Sequence, residues 1–124
     1  MKNYQDFLDS KITRDVPTGI AHAEAHGALF PFQRDIVRWA LRRGRAAIFA
    51  DCGMGKTPMQ LDWARQVAEY TKGAVLVLAP LAVAGQTIAE GRKFGIEVHG
   101  ARSQSEVTGP GIWVTNYEML QHFD

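Results

Sequence analysis

The residues from Ala50 to Thr57 combine glycine, lysine and threonine at a spacing that suits a phosphate group. The segment reads Ala-Asp-Cys-Gly-Met-Gly-Lys-Thr. Its glycines permit the backbone angles and the close approach that let successive N–H groups point at one anion. Lys56 would supply a cation for the terminal phosphates, and Thr57 would supply a hydroxyl for Mg²⁺. The segment departs from the phosphate-loop pattern only at its first position, where alanine replaces glycine.

The elements on either side of this segment decide whether it can bind phosphate. Ala46–Ala50 is a short apolar run, which predicts a buried strand before the loop. Apolar residues at helical spacing predict a helix over Thr57–Tyr70, with Pro58 tolerated in the first turn. A strand before the loop and a helix after it are the context that a phosphate loop requires. The alternative is a glycine-rich turn with an incidental lysine.

The remaining chain alternates predicted helices with predicted strands. The helices are expected near Tyr4–Ser10 and over Phe32–Arg43 (ending at Gly44), Val83–Phe94 and Tyr117–Phe123, and the strands over Ala74–Ala79, Ile96–His99 and Gly111–Thr115. The apolar strands do not alternate between inward and outward residues, which is typical of a parallel sheet with helices on both faces. We therefore predict the α/β class, with an N-terminal arm over residues 1–28 and one domain over 29–124.

The composition excludes several classes of protein. The chain has 124 residues, of which 46% are hydrophobic, so one domain with a core is expected. No run of about eighteen apolar residues predicts a membrane span, and no apolar segment near Met1 predicts a secretory signal. The single cysteine, Cys52, excludes an intrachain disulfide and suits the cytoplasm. The net charge of +1 does not by itself indicate a nucleic-acid partner.

Arginine is concentrated in one predicted helix. Five of the fourteen basic residues lie within residues 34–45, and most of them repeat every three or four positions. This spacing places them on one side of the helix, away from the apolar stripe. A solvated helix face is the favoured interpretation, and a face that contacts phosphates is the alternative.

Four segments, in order, resemble the motifs of superfamily-two helicases, most closely the Swi/Snf-like DNA translocases and their phage relatives. They are Leu29-Phe-Pro-Phe-Gln33, similar to the glutamine motif, Asp51–Thr57, similar to motif I, Leu78–Val83, similar to motif Ia, and Val114–Leu120, similar to motif Ib. The resemblance covers residues 28–124. It implies a partial RecA-like phosphate-loop lobe that binds ATP and Mg²⁺.

The resemblance also implies roles for single residues. Gln33 would hydrogen-bond the adenine edge. Phe30 or Phe32 would pack near the base or in the core, and core packing is the favoured interpretation. The nucleotide-binding residues would be Gly53, Met54, Gly55, Lys56 and Thr57, with Thr57 also holding the metal ion. Pro80, Thr115 and Asn116 would face the backbone of a nucleic acid, expected to be DNA.

Parts of the family pattern have no counterpart in this sequence. No Asp-Glu motif occurs, and the chain ends at Asp124, about where the strand carrying that motif would begin. The resemblance therefore implies an ATP-binding fragment of a helicase or translocase that is catalytically incomplete alone. The alternative is a stand-alone phage or mobile-element protein that acts as a decoy or inhibitor of a helicase or nuclease system. In either case a second copy or a protein partner is expected to cover the open edge of the sheet.

Overall fold

A computed structural model describes residues 17–21, 24–49 and 55–123. Within these ranges the helices are α1 (Pro31–Arg43), α2 (Lys56–Thr71) and α3 (Leu81–Lys93), the strands are β1 (Ala74–Leu78), β2 (Val98–Gly100) and β3 (Gly111–Thr115), and short 3₁₀ turns cover Gln104–Glu106 and Tyr117–His122. The predicted helix near Tyr4–Ser10 lies outside the described residues. No described helix has the length and apolar character needed to cross a membrane.

The three strands form one parallel sheet in the order β1-β3-β2. Ala74 is paired with Gly111 and Leu78 with Thr115, so β1 and β3 run side by side over their whole length. On the other side of β3, Val98 is paired with Ile112. The predicted mixed α/β class and the parallel sheet are therefore confirmed.

Both helices that contact the sheet pack on the same face of it. Their shared core consists of alternate strand residues together with apolar residues of α2: Leu61, Ala64, Val77, Ala79, Ile96, Val98, Ile112 and Val114. Ala84 and Ile88 of α3 pack against this cluster. In the described part of the chain the helices thus cover one face, where the sequence predicted two.

The connection between β2 and β3 explains this difference. A right-handed crossover places α3 on one face between β1 and β2. The return from β2 to β3 uses only residues 101–110, which hold a single 3₁₀ turn instead of a helix. On the face without a helix the rings of Trp113 and His99 are tilted by 35° with centroids 4.8 Å apart, and the Trp113 Nε1–H donates to the carbonyl of Gly109 at 3.1 Å.

Helix α1 packs on α2 through a second, smaller core and is held at its C-terminal end by the N-terminal arm. Leu29, Val37, Leu41 and Met59 form that core. The backbone N–H groups of Thr18–Ile20 donate to the carbonyls of Leu41–Arg43 at 2.7 to 3.3 Å. Gly44 follows with a φ of +84°, which confirms the predicted end of this helix.

The predicted strand over Ala46–Ala50 is wrong for residues 46–49. These residues belong to no strand and are exposed, and Phe49 is 97% exposed. Ala50 lies outside the described residues. A strand is defined by hydrogen bonds to a neighbour, and no described strand pairs with this run. Apolar composition alone predicted burial, but it does not supply a neighbouring strand.

Smaller differences occur at the ends of elements. Strand β2 begins at Val98 rather than Ile96, because the N–H of Ile96 donates to the carbonyl of Gly91 in α3 at 2.8 Å. The last predicted helix is a 3₁₀ turn that begins after Asn116. As expected for a cap, the Asn116 side chain accepts a hydrogen bond from the N–H of Met119 at 3.0 Å.

Candidate nucleotide-binding site

The first turn of α2 holds the described part of the predicted phosphate loop. Gly55 precedes the helix with a φ of +73°, a left-handed conformation that favours glycine. Lys56 and Thr57 are the first two helical residues, and the first helical hydrogen bond runs from Met59 to the carbonyl of Gly55. The N–H groups before Met59 lack acceptors within the helix, and the positive end of the helix dipole lies there.

Two predicted site residues, Gly53 and Met54, lie outside the described residues. The backbone that would wrap a phosphate is thus described only from Gly55 onward. No side chain among the described residues caps the start of α2. The free end of a sixteen-residue helix, with an exposed lysine beside it, is an arrangement that can bind an anion.

A cavity of about 400 Å³ lies between α1, α2 and the apolar run that precedes the loop. Its walls are mostly apolar, and Lys56 contributes an ammonium group: Val37, Ala40, Ala46, Ile48, Lys56, Met59, Gln60 and Trp63 line it. A mostly apolar cavity with a few polar groups is typical of small-molecule sites.

Gln33 joins the start of α1 to the start of α2. It is 5% exposed. Its Oε1 accepts from the N–H of Phe30 at 2.8 Å, and its Nε2 lies 3.5 Å from the carbonyl of Gly55. A Cβ added at Gly55 would collide with the Gln33 amide. Gln33 thus lies against Gly55 and limits what can stand at that position, and contact with an adenine edge stays a prediction.

The two phenylalanines of the first motif lie on the surface, so the prediction that they pack in the core is wrong. Phe30 is 66% exposed and Phe32 is 43% exposed. Their rings stack on each other with centroids 6.2 Å apart. Pro31 at the first helical position turns the chain sharply, and α1 then buries Gln33 and Val37 instead.

The three predicted nucleic-acid contacts lie together at the carboxyl edge of the sheet. The N–H of Ala79 donates to the carbonyl of Thr115 at 3.0 Å, which sets the ends of β1 and β3 side by side. Pro80 follows at the N-terminus of α3, and Asn116 follows β3. Thr115 is 3% exposed, and its hydroxyl has no hydrogen-bond partner among the described residues. The buried position of this hydroxyl limits its access to a ligand, so contact with a nucleic acid stays a prediction.

Sequence analysis missed Arg102 at this same edge. A second cavity, of about 320 Å³, is lined by Arg102, Glu106, Thr115 and Asn116 together with apolar residues of α3. The backbone N–H of Arg102 donates to the carboxylate of Glu106 at 2.7 Å. The position of Arg102 just after a parallel strand was the available signal, because ligands bind beyond the carboxyl ends of such strands.

The buried carboxylate of Asp62 links α2 to the N-terminal arm and also pairs with Arg65 within α2. Asp62 is fully buried, bonds the Arg65 guanidinium at 2.7 Å and accepts from the N–H of His26 at 3.1 Å. Burial works to lower the pKa of Arg65, but the hydrogen bond and charge of Asp62, followed by those of Glu69, raise it overall. This guanidinium is therefore a permanent cation with a structural role.

No group of three or more His, Cys, Asp or Glu side chains that could hold a metal ion occurs among the described residues. The Thr57 hydroxyl is half-buried in the first turn of α2. It would bind Mg²⁺ only together with phosphate oxygens, as phosphate loops do.

The comparisons with known proteins do not assign this chain to a family. No protein-family model matches the chain, and no curated protein matches it significantly.

Proposed function

We propose that this chain is the nucleotide-binding, RecA-like lobe of a superfamily-two nucleic-acid helicase or translocase. It binds ATP with Mg²⁺ through the loop that ends at Thr57, and a nucleic-acid backbone at the carboxyl edge of its sheet. One observation carries the proposal. The start of α2, the Pro80 turn and the end of β3 all lie at the same end of the parallel strands.

The direction in which the chain runs through α2, β1 and α3 brings these features to the same end of the strands. Helix α2 ends at Thr71, and the chain turns back within two residues into β1. The start of α2 therefore lies at the carboxyl end of β1. Helix α3 begins two residues after β1, at the same end. In open α/β sheets the ligands bind beyond the carboxyl ends of the strands, where helix N-termini converge.

The roles follow from the chemistry of each residue. The free N–H groups at the start of α2 and the Lys56 ammonium neutralise the phosphates. Thr57 supplies one oxygen ligand for Mg²⁺, which neutralises further charge on the phosphates. Gln33 holds Gly55 in place from behind the loop and supplies an amide near the base. The Thr115 hydroxyl and the α3 N-terminus bind backbone phosphates of the nucleic acid.

Calorimetric titration of MgATP into the protein tests the nucleotide site. Lys56→Ala removes a charge-assisted contact worth about 1.5–3 kcal/mol, which lowers affinity by roughly ten- to a hundredfold. Lys93→Ala is the control, because Lys93 is an exposed lysine at the far end of α3. The affinity of the Lys93→Ala variant for MgATP should equal that of the wild type.

Thr57→Ala separates the metal contact from the phosphate contact. The wild type should bind ATP more tightly when Mg²⁺ is added, whereas Thr57→Ala should lose most of that gain. If wild type, Lys56→Ala and Lys93→Ala give equal heats, the loop does not bind phosphate and the proposal fails.

A further inference from the structure

Charge is distributed unevenly along this chain. Residues 34–45 hold five of the fourteen basic residues and one of the thirteen acidic residues. This segment therefore carries a charge of +4, and the rest of the chain carries −3, which together give the net +1. The near-neutral total hides one strongly basic surface.

The structure places these charges on the outer face of α1. Val37, Ala40 and Leu41 are buried against α2, whereas Arg38, Trp39 and Arg42 are exposed on the opposite side. Arg45 is exposed just beyond the end of the helix, so this basic surface continues past Gly44. We call Arg38, Trp39, Arg42 and Arg45 the outer face of α1.

Folding does not require the exposed arginines Arg38 and Arg42. Arg34 is different, because its Nε donates to the Leu29 carbonyl at 3.1 Å. Arg38 and Arg42 are spaced four apart, and like charges at this spacing destabilise a helix. The only acidic neighbour within the segment is Asp35, whose carboxylate is 3.9 Å from Arg38 with both side chains largely exposed. Such exposed pairs contribute little.

The C-terminal end of α1 does not need the arginines either. Basic side chains near a helix C-terminus often bond its last carbonyls. Here the backbone N–H groups of Thr18–Ile20 already donate to the carbonyls of Leu41–Arg43. Arg42 and Arg43 lie in the last turn of α1, where a positive charge interacts favourably with the helix dipole, but the carbonyls of Leu41–Arg43 already have backbone donors.

We infer that the outer face of α1 binds the phosphate backbone of a nucleic acid. Arginine guanidinium groups bind phosphate oxygens in a bidentate manner, and this charge contact is independent of sequence. Trp39 is 46% exposed among them, and the Arg43 guanidinium carbon lies 5.4 Å from its ring centroid. An aromatic ring within a basic surface suits stacking of an unpaired base, whereas an acidic peptide has no use for it.

This surface is separate from the sites already described. Helix α1 faces α2 with its apolar side, so its outer face points away from the cavity between them. It is formed by residues other than Pro80, Thr115 and Asn116. Binding here requires no nucleotide, and it can therefore fail or succeed independently of the proposed ATP site.

Fluorescence anisotropy with a labelled single strand and a labelled duplex tests this inference over a range of salt concentrations. The variant is Arg38→Gln with Arg42→Gln and Arg45→Gln. The control is Lys72→Gln with Arg92→Gln and Lys93→Gln, which removes the same charge from exposed positions elsewhere. Asn116→Ala tests the carboxyl edge, and Lys56→Ala tests the nucleotide loop in the same assay.

The arginine variant should weaken binding about tenfold or more at low salt. Its slope of log affinity against log salt should fall by about 2 to 3, since each phosphate contact contributes roughly 0.7–0.9. The control should keep most of that slope, whereas Asn116→Ala and Lys56→Ala measure how much of the binding comes from the carboxyl edge and from the nucleotide loop. The arginine variant should melt near the wild-type temperature, because its three substituted side chains are exposed.

Trp39→Ala distinguishes the two forms of nucleic acid. If unpaired bases stack on the ring, the single strand binds about tenfold more weakly and the duplex is unaffected. Equal weakening by the arginine variant and the control would overturn the inference. So would arginine-dependent binding of polyglutamate in place of DNA.

Discussion

Two short apolar runs, Ala46–Phe49 and Ala74–Leu78, have opposite outcomes in this fold. The second forms β1, which pairs along its whole length with β3 and buries Val77. The first forms no strand, and Phe49 is almost fully exposed. Their compositions are alike, so the difference comes from the neighbouring strand that one run has and the other lacks. Apolar residues favour burial, but only a hydrogen-bonding partner makes a strand.

An aspartate introduced into each run gives the largest expected contrast in the free energy of unfolding. Val77→Asp places a carboxylate in the core without a partner, and we expect a loss of more than about 3 kcal/mol in the free energy of unfolding. Phe49→Asp adds the charge at an exposed position and should change that free energy by less than about 0.5 kcal/mol. Urea unfolding followed by circular dichroism measures both. Similar losses in the two variants would show that the first run is also buried.

Two glycines of α3 give a smaller expected contrast in stability and test how tightly α3 packs against the sheet. A Cβ at Gly91 would lie 2.7 Å from the carbonyl oxygen of Ile96 and 2.8 Å from Cγ2 of Val98. We expect Gly91→Ala to cost about 1–3 kcal/mol, because helix and strand must move apart. A Cβ at Gly85 would meet nothing within 4 Å, so Gly85→Ala should stabilise the helix by roughly 0.5–1 kcal/mol. Thermal melts that rank the two variants in the opposite order would contradict this packing.

A substitution at the outer edge of β1 has the smallest expected effect, and it acts on self-association. No described strand pairs with that edge, and Leu76 is 37% exposed beside it. An unpaired strand edge is a template for another chain, so we predict that the protein self-associates as its concentration rises. Leu76→Lys should weaken association about tenfold, which is near 1.4 kcal/mol.

Light scattering over a concentration series measures this association. Tyr70→Lys is the control, because it puts the same charge in place of an exposed apolar side chain on α2. A constant monomer mass at every concentration would show that the β1 edge is not a pairing surface. Equal weakening by both variants would point to general charge repulsion.

Local patterns in the sequence predicted the regular elements well. The apolar stripe and the closing glycine fixed α1, and β3 occupies the predicted residues Gly111–Thr115. The position of Lys56 at the start of a helix followed from the spacing of the loop motif alone. These features depend on residues a few positions apart, which is why a single sequence can reveal them.

Contacts between distant residues were not predictable in this way. The approach of Gln33 to the carbonyl of Gly55 spans 22 positions, and the hydrogen bond from His26 to Asp62 spans 36. The exposure of Phe30 and Phe32 also depends on how α1 packs, since an apolar side chain gives no sign of which neighbour it will find. Each of these features arises only when α1, α2 and the arm are assembled.

The sequence by itself therefore determined the α/β class, the order of α1 to α3 and β1 to β3, and a lysine and threonine at the start of α2. It also determined the basic face of α1, because helical spacing alone puts the arginines opposite the apolar stripe. The tertiary structure alone decided that Ala46–Phe49 stays outside the sheet, that both packed helices share one face, and that Pro80, Thr115 and Asn116 meet at one edge. The physical reason is that side-chain periodicity is a local property, whereas strand pairing and the direction of each crossover depend on the whole assembled chain.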